Sequence, residues 1–299
     1  MEMGKSKVVM IKGKGALINN RINTKVISLM FKKGLSLLFD CNDFRDALNQ
    51  LFSPSDRIGI KINTIAGRKL STNPEISLTL ANLLTRIGVR SGNIIIWDRT
   101  NDELRRAGYR LNFSGGGIKV FGTDTRRINY EFDLTIHKNI GSRFSRIQSR
   151  LVNKSISLAI LKDHGIAGLT GVMKNYFGAI HNPNKYHDSN CNPYIAELYE
   201  TYLIKNKNKL SILDGMIVQY HRGPSYHAQW AKKCELFIMS TDPVAADYIG
   251  WQFIEKLRKE RGLPPLEEEK RMPYYIITAE KMGLGKANLN EIQLIEYEV

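Results

Sequence analysis

Lys162, His164, Lys174 and His187 are the side chains in this chain best suited to chemistry, and all four fall in one segment, LKDHGIAGLTGVMKNYFGAIHNPNKYH (Leu161–His187). Two kinds of nitrogen base sit there among glycines, in a stretch too apolar for a solvated loop, so the four are expected to share one pocket. An imidazole near its intrinsic pKa exchanges protons at neutral pH, which makes His164 the expected general acid or base. A desolvated Lys174 could anchor a cofactor covalently or stabilise negative charge, with Lys162 beside it in the reactive centre.

Something must hold these groups together. The run SISLAILK (Ser155–Lys162) is apolar and reads as a buried strand of a parallel sheet. Lys162, Asp163 and His164 then lie at its carboxyl end, the edge where open α/β sheets bind ligands. After Gly165, the residues Ile166, Leu169, Val172, Met173, Phe177 and Ile180 approach a helical period, but Gly168, Gly171 and Gly178 interrupt it. Each interior glycine costs a helix roughly 1 kcal/mol relative to alanine. The pattern predicts a broken helix or close backbone approach; the plain alternative is a helix packed on the sheet with Lys174 facing water.

A second candidate site lies earlier. RIGIKIN reads as a strand ending at Asn63, and Pro74 as the first residue of a helix capped by Asn73 or Thr72. Lys61, Arg68, Lys69, Ser71 and Thr72 would then surround the positive end of a helix dipole, a favourable place for a phosphate or carboxylate. NIIIWD places Asp98 at the next strand end, where capping of a helix near Asn101 is the expected role.

Three further groups complete the candidates. Asp242 and Pro243 form a strong helix start, and Asp247, inside that apolar helix, needs a buried partner. His221 and Arg222 follow the strand SILDGM and could bind a substrate carboxylate. His137 and Lys138 end DLTIHK and could reach the same crevice. His181 and His187 stand in a loop with Pro183, but no compact ligand set for zinc is evident.

Strand-like runs alternate with helical ones from KVVMIKG to CELFIMS, which predicts an α/β fold with a mostly parallel sheet and flanking helices. The region 110–150, rich in glycine, asparagine and arginine, is where two packed lobes (1–150 and 151–299) would divide if the chain is not one domain. The net charge of +15 makes a small anionic ligand worth weighing, yet the basic residues form no block and no nucleic-acid motif, so nucleic acid is not the expected partner. Cys41, Cys191 and Cys234 are too scattered for an iron-sulfur cluster, and a reducing, cytoplasmic address is expected. Val26–Phe39 reads as a core helix, and no run is of membrane-spanning length.

Five ordered motifs, RIGIKINTIAGRKLSTNPE, NIIIWDRTNDELRRAGY, LKDHGIAGLTGVMKNYFGAI, ILDGM and STDPVAADYIG, resemble the domain of unknown function 362 family over nearly the whole chain. That family is largely uncharacterised. Many members add ferredoxin-like cysteine motifs or a twin-arginine export signal, and neither is in this sequence. More distantly, the order of elements is similar to the catalytic domain of the nickel-pincer lactate racemase family. This second resemblance implies a pyridinium mononucleotide held by Lys174, a proton-transfer role for His164, nickel on His187, and a phosphate loop at Lys61–Thr72. The racemase loop Asp-x-Thr-Arg-Pro-Thr-Pro is here NTIAGRKLSTNP, and its Gly-Thr-His-Arg turn is WDRT, without the histidine. The combined expectation is an enzyme of isomerase, racemase or redox type acting on a small anionic substrate or cofactor. The resemblance also makes a pairing of Asp247 with Lys162 or Lys174, within the catalytic group, the expected one. The alternative is a non-catalytic metal- or metabolite-binding protein, or one that docks onto a redox partner.

Overall fold

The computed structural model describes residues 4–299. In chain order the elements are β1 (Ser6–Lys12), β2 (Leu17–Ile18), β3 (Arg21–Ile22), α1 (Thr24–Leu38), α2 (Phe44–Leu51), β4 (Ile58–Lys61), α3 (Pro74–Thr85), β5 (Ile94–Trp97), α4 (Asn101–Arg106), β6 (Lys119–Val120), β7 (Thr135–His137) and β8 (Ile140–Ser142). They continue with β9 (Lys154–His164), β10 (Gly168–Thr170), α5 (Tyr194–Glu200), α6 (Tyr202–Lys205), β11 (Asn208–Gln219), β12 (Ala231–Ser240), α7 (Pro243–Glu260), α8 (Tyr274–Lys281) and β13 (Ile292–Glu298).

One mixed, mostly parallel sheet carries the fold, in the order β13-β1-β12-β11-β9-β4-β5-β6, with β10 folded back on the end of β9. Strands from residues 1–150 and 151–299 are interleaved in this single sheet. The central strands are buried on both faces, and their side chains alternate between two cores. Ile58, Ile60, Ile156, Leu158 and Ile212 face α1, α2 and α3, whereas Ala159, Leu161, Leu213 and Ile238 face the side of α5, α7 and α8. That two-sided burial explains why the strands read as near-continuous apolar runs.

Local signals set the helix starts. Asn73 accepts from the Glu75 amide with Pro74 in the first turn, and Asp242 accepts from the amides of Val244 and Ala245 ahead of Pro243. The segment after Gly165 is not a helix. Gly168–Thr170 returns as β10, antiparallel to β9, and Lys174–Ala179 forms a short 3-10 stretch. Its glycines answer to close approach: a Cβ on Gly171 would overlap the Asp247 carboxylate, and one on Gly178 would come 2.8 Å from Lys61 Nζ. No described helix is long and apolar enough to cross a membrane.

Candidate functional site

The carboxyl ends of β4, β5 and β9 open into a cavity of about 200 Å³. Lys162, His164, Lys174 and His187 all line it, together with Lys61, Asn63, Asp98, Thr170 and Asn175. Register explains the meeting: β9 runs parallel to β4, so its last turn of strand projects past Lys61, and β10 sets Thr170 opposite Lys162.

Each of the four nitrogen groups has a distinct state. Lys162 Nζ is fully buried and has no hydrogen-bond partner among the described residues. Burial pushes its pKa down to about 7, with Asp98 pulling upward and Lys174 downward. Lys174 is pushed down to about 8, again by burial. Its ammonium lies 4.4 Å from the centre of the Phe177 ring and 3.2 Å from His187 Nε2.

The two histidines hold opposite tautomers. His187 Nδ1 is 3.1 Å from the Pro183 carbonyl oxygen, so it carries the proton, and Nε2 presents a lone pair toward Lys174. His164 Nδ1 accepts from the amides of Ile166 (3.2 Å) and Ala167 (3.1 Å), which leaves the proton on Nε2. Burial, then the Lys174 charge, holds the pKa of His164 far below its usual range. His164 thus stands as a neutral donor at Nε2, with its Nδ1 lone pair engaged by the turn.

Three polar atoms of the cavity wall are buried without a partner among the described residues: Lys162 Nζ, Thr170 Oγ1 and Asn63 Oδ1. Thr170 and Asn63 did not stand out in the sequence, since a threonine in an apolar run and an asparagine after a strand are ordinary. The signal that finds them is the unmet hydrogen bond.

Lys61 differs from Lys162. Its Nζ donates to Asp98 Oδ1 (2.6 Å), the Ile62 carbonyl (2.7 Å) and Asn175 Oδ1 (3.2 Å). Asp98 also accepts from the Thr64 amide and hydroxyl and from the Arg99 amide. Asp98 is thus the buried counter-ion of Lys61, while Thr100 caps α4.

The expected anion loop is divided. Lys61 lines the first cavity, but Arg68, Lys69 and Ser71 line another, of about 380 Å³, on the side of α3. Thr72 is fully buried, and its hydroxyl donates to the Leu158 carbonyl and accepts from the Asn63 amide, so it pins the loop. Asp247 pairs with neither lysine. It accepts from the amides of Val172 and Met173 and from the Tyr275 hydroxyl, and burial raises its pKa to about 7. It shapes the crevice by fixing the backbone ahead of Lys174.

His221 and Arg222 lie outside the cavity. His221 Nδ1 accepts from the Arg258 guanidinium, and its ring meets Trp230 edge-on; only Pro224 of that turn reaches the cavity wall. His137 and Lys138 both pair with Glu200, away from the crevice. Asp163 is structural, accepting from Arg271 and from the Gly223 amide.

Among the described residues no group of three or more His, Cys, Asp or Glu side chains is placed to hold a metal ion. Lys174 and His187 offer the amine and the single imidazole lone pair that a nickel-pincer nucleotide would use. The proton-moving half of that chemistry does not fit, because the free nitrogen of His164 is protonated and its other lone pair is occupied.

No curated protein matches the chain. Among solved structures, the crystal structure of a Thermotoga maritima protein, a structural genomics target, aligns at 10% identity with a TM-score of 0.43 over 81% of this chain and 60% of its own. The chain therefore spans 60% of the length of that structure. The family model described as "Domain of unknown function (DUF362)" matches residues 58–252, more than half of the sequence, and the chain belongs to that family.

Proposed function

We propose that this protein is an enzyme that binds a small anionic substrate in the crevice at the carboxyl edge of the sheet and moves a proton on it, an isomerase-like reaction. The observation that carries the reading is Lys162: a fully buried amine, unpartnered, titrating near 7 in a cavity wall. Burying a cationic group without a partner costs several kcal/mol, and a fold keeps such a group where a ligand completes it.

The roles follow from the states of the side chains. Lys174, mostly charged at pH 7, faces the anionic group of the substrate. Neutral Lys162 takes a proton from the carbon beside the carboxylate or carbonyl, and the electron pair of that C–H bond moves onto oxygen as an enolate. His164 Nε2–H and the Lys174 ammonium stabilise that oxygen, and the Lys162 ammonium returns its proton on the same face, to that carbon or to the neighbouring one, which completes the cycle. Thr170 and Asn63 orient the substrate through their unmet hydrogen bonds.

The test is exchange of carbon-bound hydrogen in deuterium oxide, followed by proton NMR with pyruvate, lactate and malate. Exchange that Lys162→Met abolishes, with the fold intact by circular dichroism, supports the enzyme. Saturable binding of these acids without exchange supports the non-catalytic alternative, and neither binding nor exchange overturns the reading.

A further inference from the structure

We propose that the larger cavity on the α3 side is a second ligand site, for a molecule with an apolar body, a hydroxyl or amino group at its buried end and an anionic group at its mouth. Three observations carry this. First, Leu17, Ile22, Ile76, Ile160 and Met216 form an apolar stretch in a wall that is otherwise largely polar and bounds about 380 Å³. Such a volume suits a compact organic molecule rather than a bare ion.

Second, the depth of the cavity holds polar groups without the partners they need. Ser71 is more than nine-tenths buried, and its Oγ has no hydrogen-bond partner among the described residues. Asp214, 2% exposed, receives one hydrogen bond, from the Met216 amide two residues on. Burial pushes its carboxyl up to about 7. A carboxyl and a hydroxyl buried this far without enough partners are costly unless a ligand donates to them.

Third, the mouth is cationic. Arg68 and Lys69 are exposed, and the Lys69 ammonium sits 5.3 Å from the Tyr226 ring centre. They lie on the loop that leads into the amino terminus of α3, whose Asn73 also lines the cavity. The site is separate from the Lys162 crevice yet shares β9 with it. Ile160, the register partner of Asp214, lines this cavity, and Lys162 lies two residues further along the strand.

The experiment is calorimetric titration of the full chain with three probes: 3-(4-hydroxyphenyl)propionate, 3-phenylpropionate, which lacks the hydroxyl, and tyramine, which lacks the anion. The first should bind saturably, and each of the others about tenfold more weakly, the loss expected for one hydrogen bond to a charged group. Arg68→Ala, an exposed position, and Asp214→Asn should each weaken the first probe about tenfold, whereas Lys162→Met should not. Absence of saturable binding by all three probes would overturn the proposal. So would binding that neither Arg68→Ala nor Asp214→Asn alters, or binding lost in Lys162→Met, which places the probe in the first crevice.

Discussion

Two lysines at neighbouring strand ends are equally buried and chemically opposite. Lys61, at the end of β4, spends its ammonium on a carboxylate, a carbonyl and an amide oxygen. Lys162, near the end of β9, has none of these, and the atoms nearest in role, Thr170 Oγ1 and Asn63 Oδ1, are themselves unpartnered. Burial by itself does not distinguish a structural cation from a reactive one. The difference lies in whether the fold supplies the acceptors, and at Lys162 it does not.

The contrast can be broken first at Lys61. Lys61→Met should destabilise the fold by about 3–5 kcal/mol, because it leaves the Asp98 carboxylate buried and uncompensated. Denaturant unfolding measures this, and a loss under 1 kcal/mol would mean that the Thr64 and Arg99 donors suffice. Lys162→Met should move in the other direction, stabilising by about 1–3 kcal/mol at pH 7, since an unpaired amine gives way to an apolar side chain of similar length. If both substitutions destabilise alike, the two lysines are not different in kind.

Titration sharpens the same comparison. The folded pKa of Lys162, about 7, lies below the unfolded value of 10.5. Between these two, the unfolded chain holds a proton that the folded chain has released, so stability rises with pH, by at most about 1.4 kcal/mol per unit. Below pH 7 the penalty is in full force. Lys174, titrating at about 8, adds a slope of the same sign from pH 8 upward. Lys162→Met should remove the part of the slope that begins near pH 7, and unfolding curves at a series of pH values would show it. The smallest expected effect is that of Thr170→Val, which removes a hydroxyl that bonds to nothing in the fold: a stability change of about 1 kcal/mol or less, with substrate affinity lowered.

Much of this arrangement is legible in the residues. The apolar run Ser155–Leu161 reads as a two-sided buried strand, and that places Lys162 and His164 at the carboxyl edge of the sheet. Pro74 and Pro243 mark helix starts because each lacks the amide that a first turn leaves unused. The glycine-rich segment carries two signals, a helical period and the glycines of a close backbone approach, and the structure follows the glycines. Its apolar spacing suits a helix, but Gly168, with φ of 73°, turns the chain into β10, and Gly171 admits the Asp247 carboxylate against the backbone. The fate of the loop Asn63–Asn73 was equally hidden. Which cation faces which cavity depends on contacts with β9 and β11, remote in sequence, and a basic loop before a helix reads the same whether it serves one site or two. The state of His164 was also beyond sequence, because it rests on two backbone amides of a turn whose shape no motif specifies.

The most direct test is NMR titration of the chain labelled with carbon-13 at the lysine ε position, with Lys162→Met to assign the signal. The account predicts a Lys162 resonance that titrates near pH 7 and shifts to higher pH when oxalate, an inert dianion, is added. A resonance that titrates near the ordinary lysine value of about 10.4 and ignores the anion would contradict it.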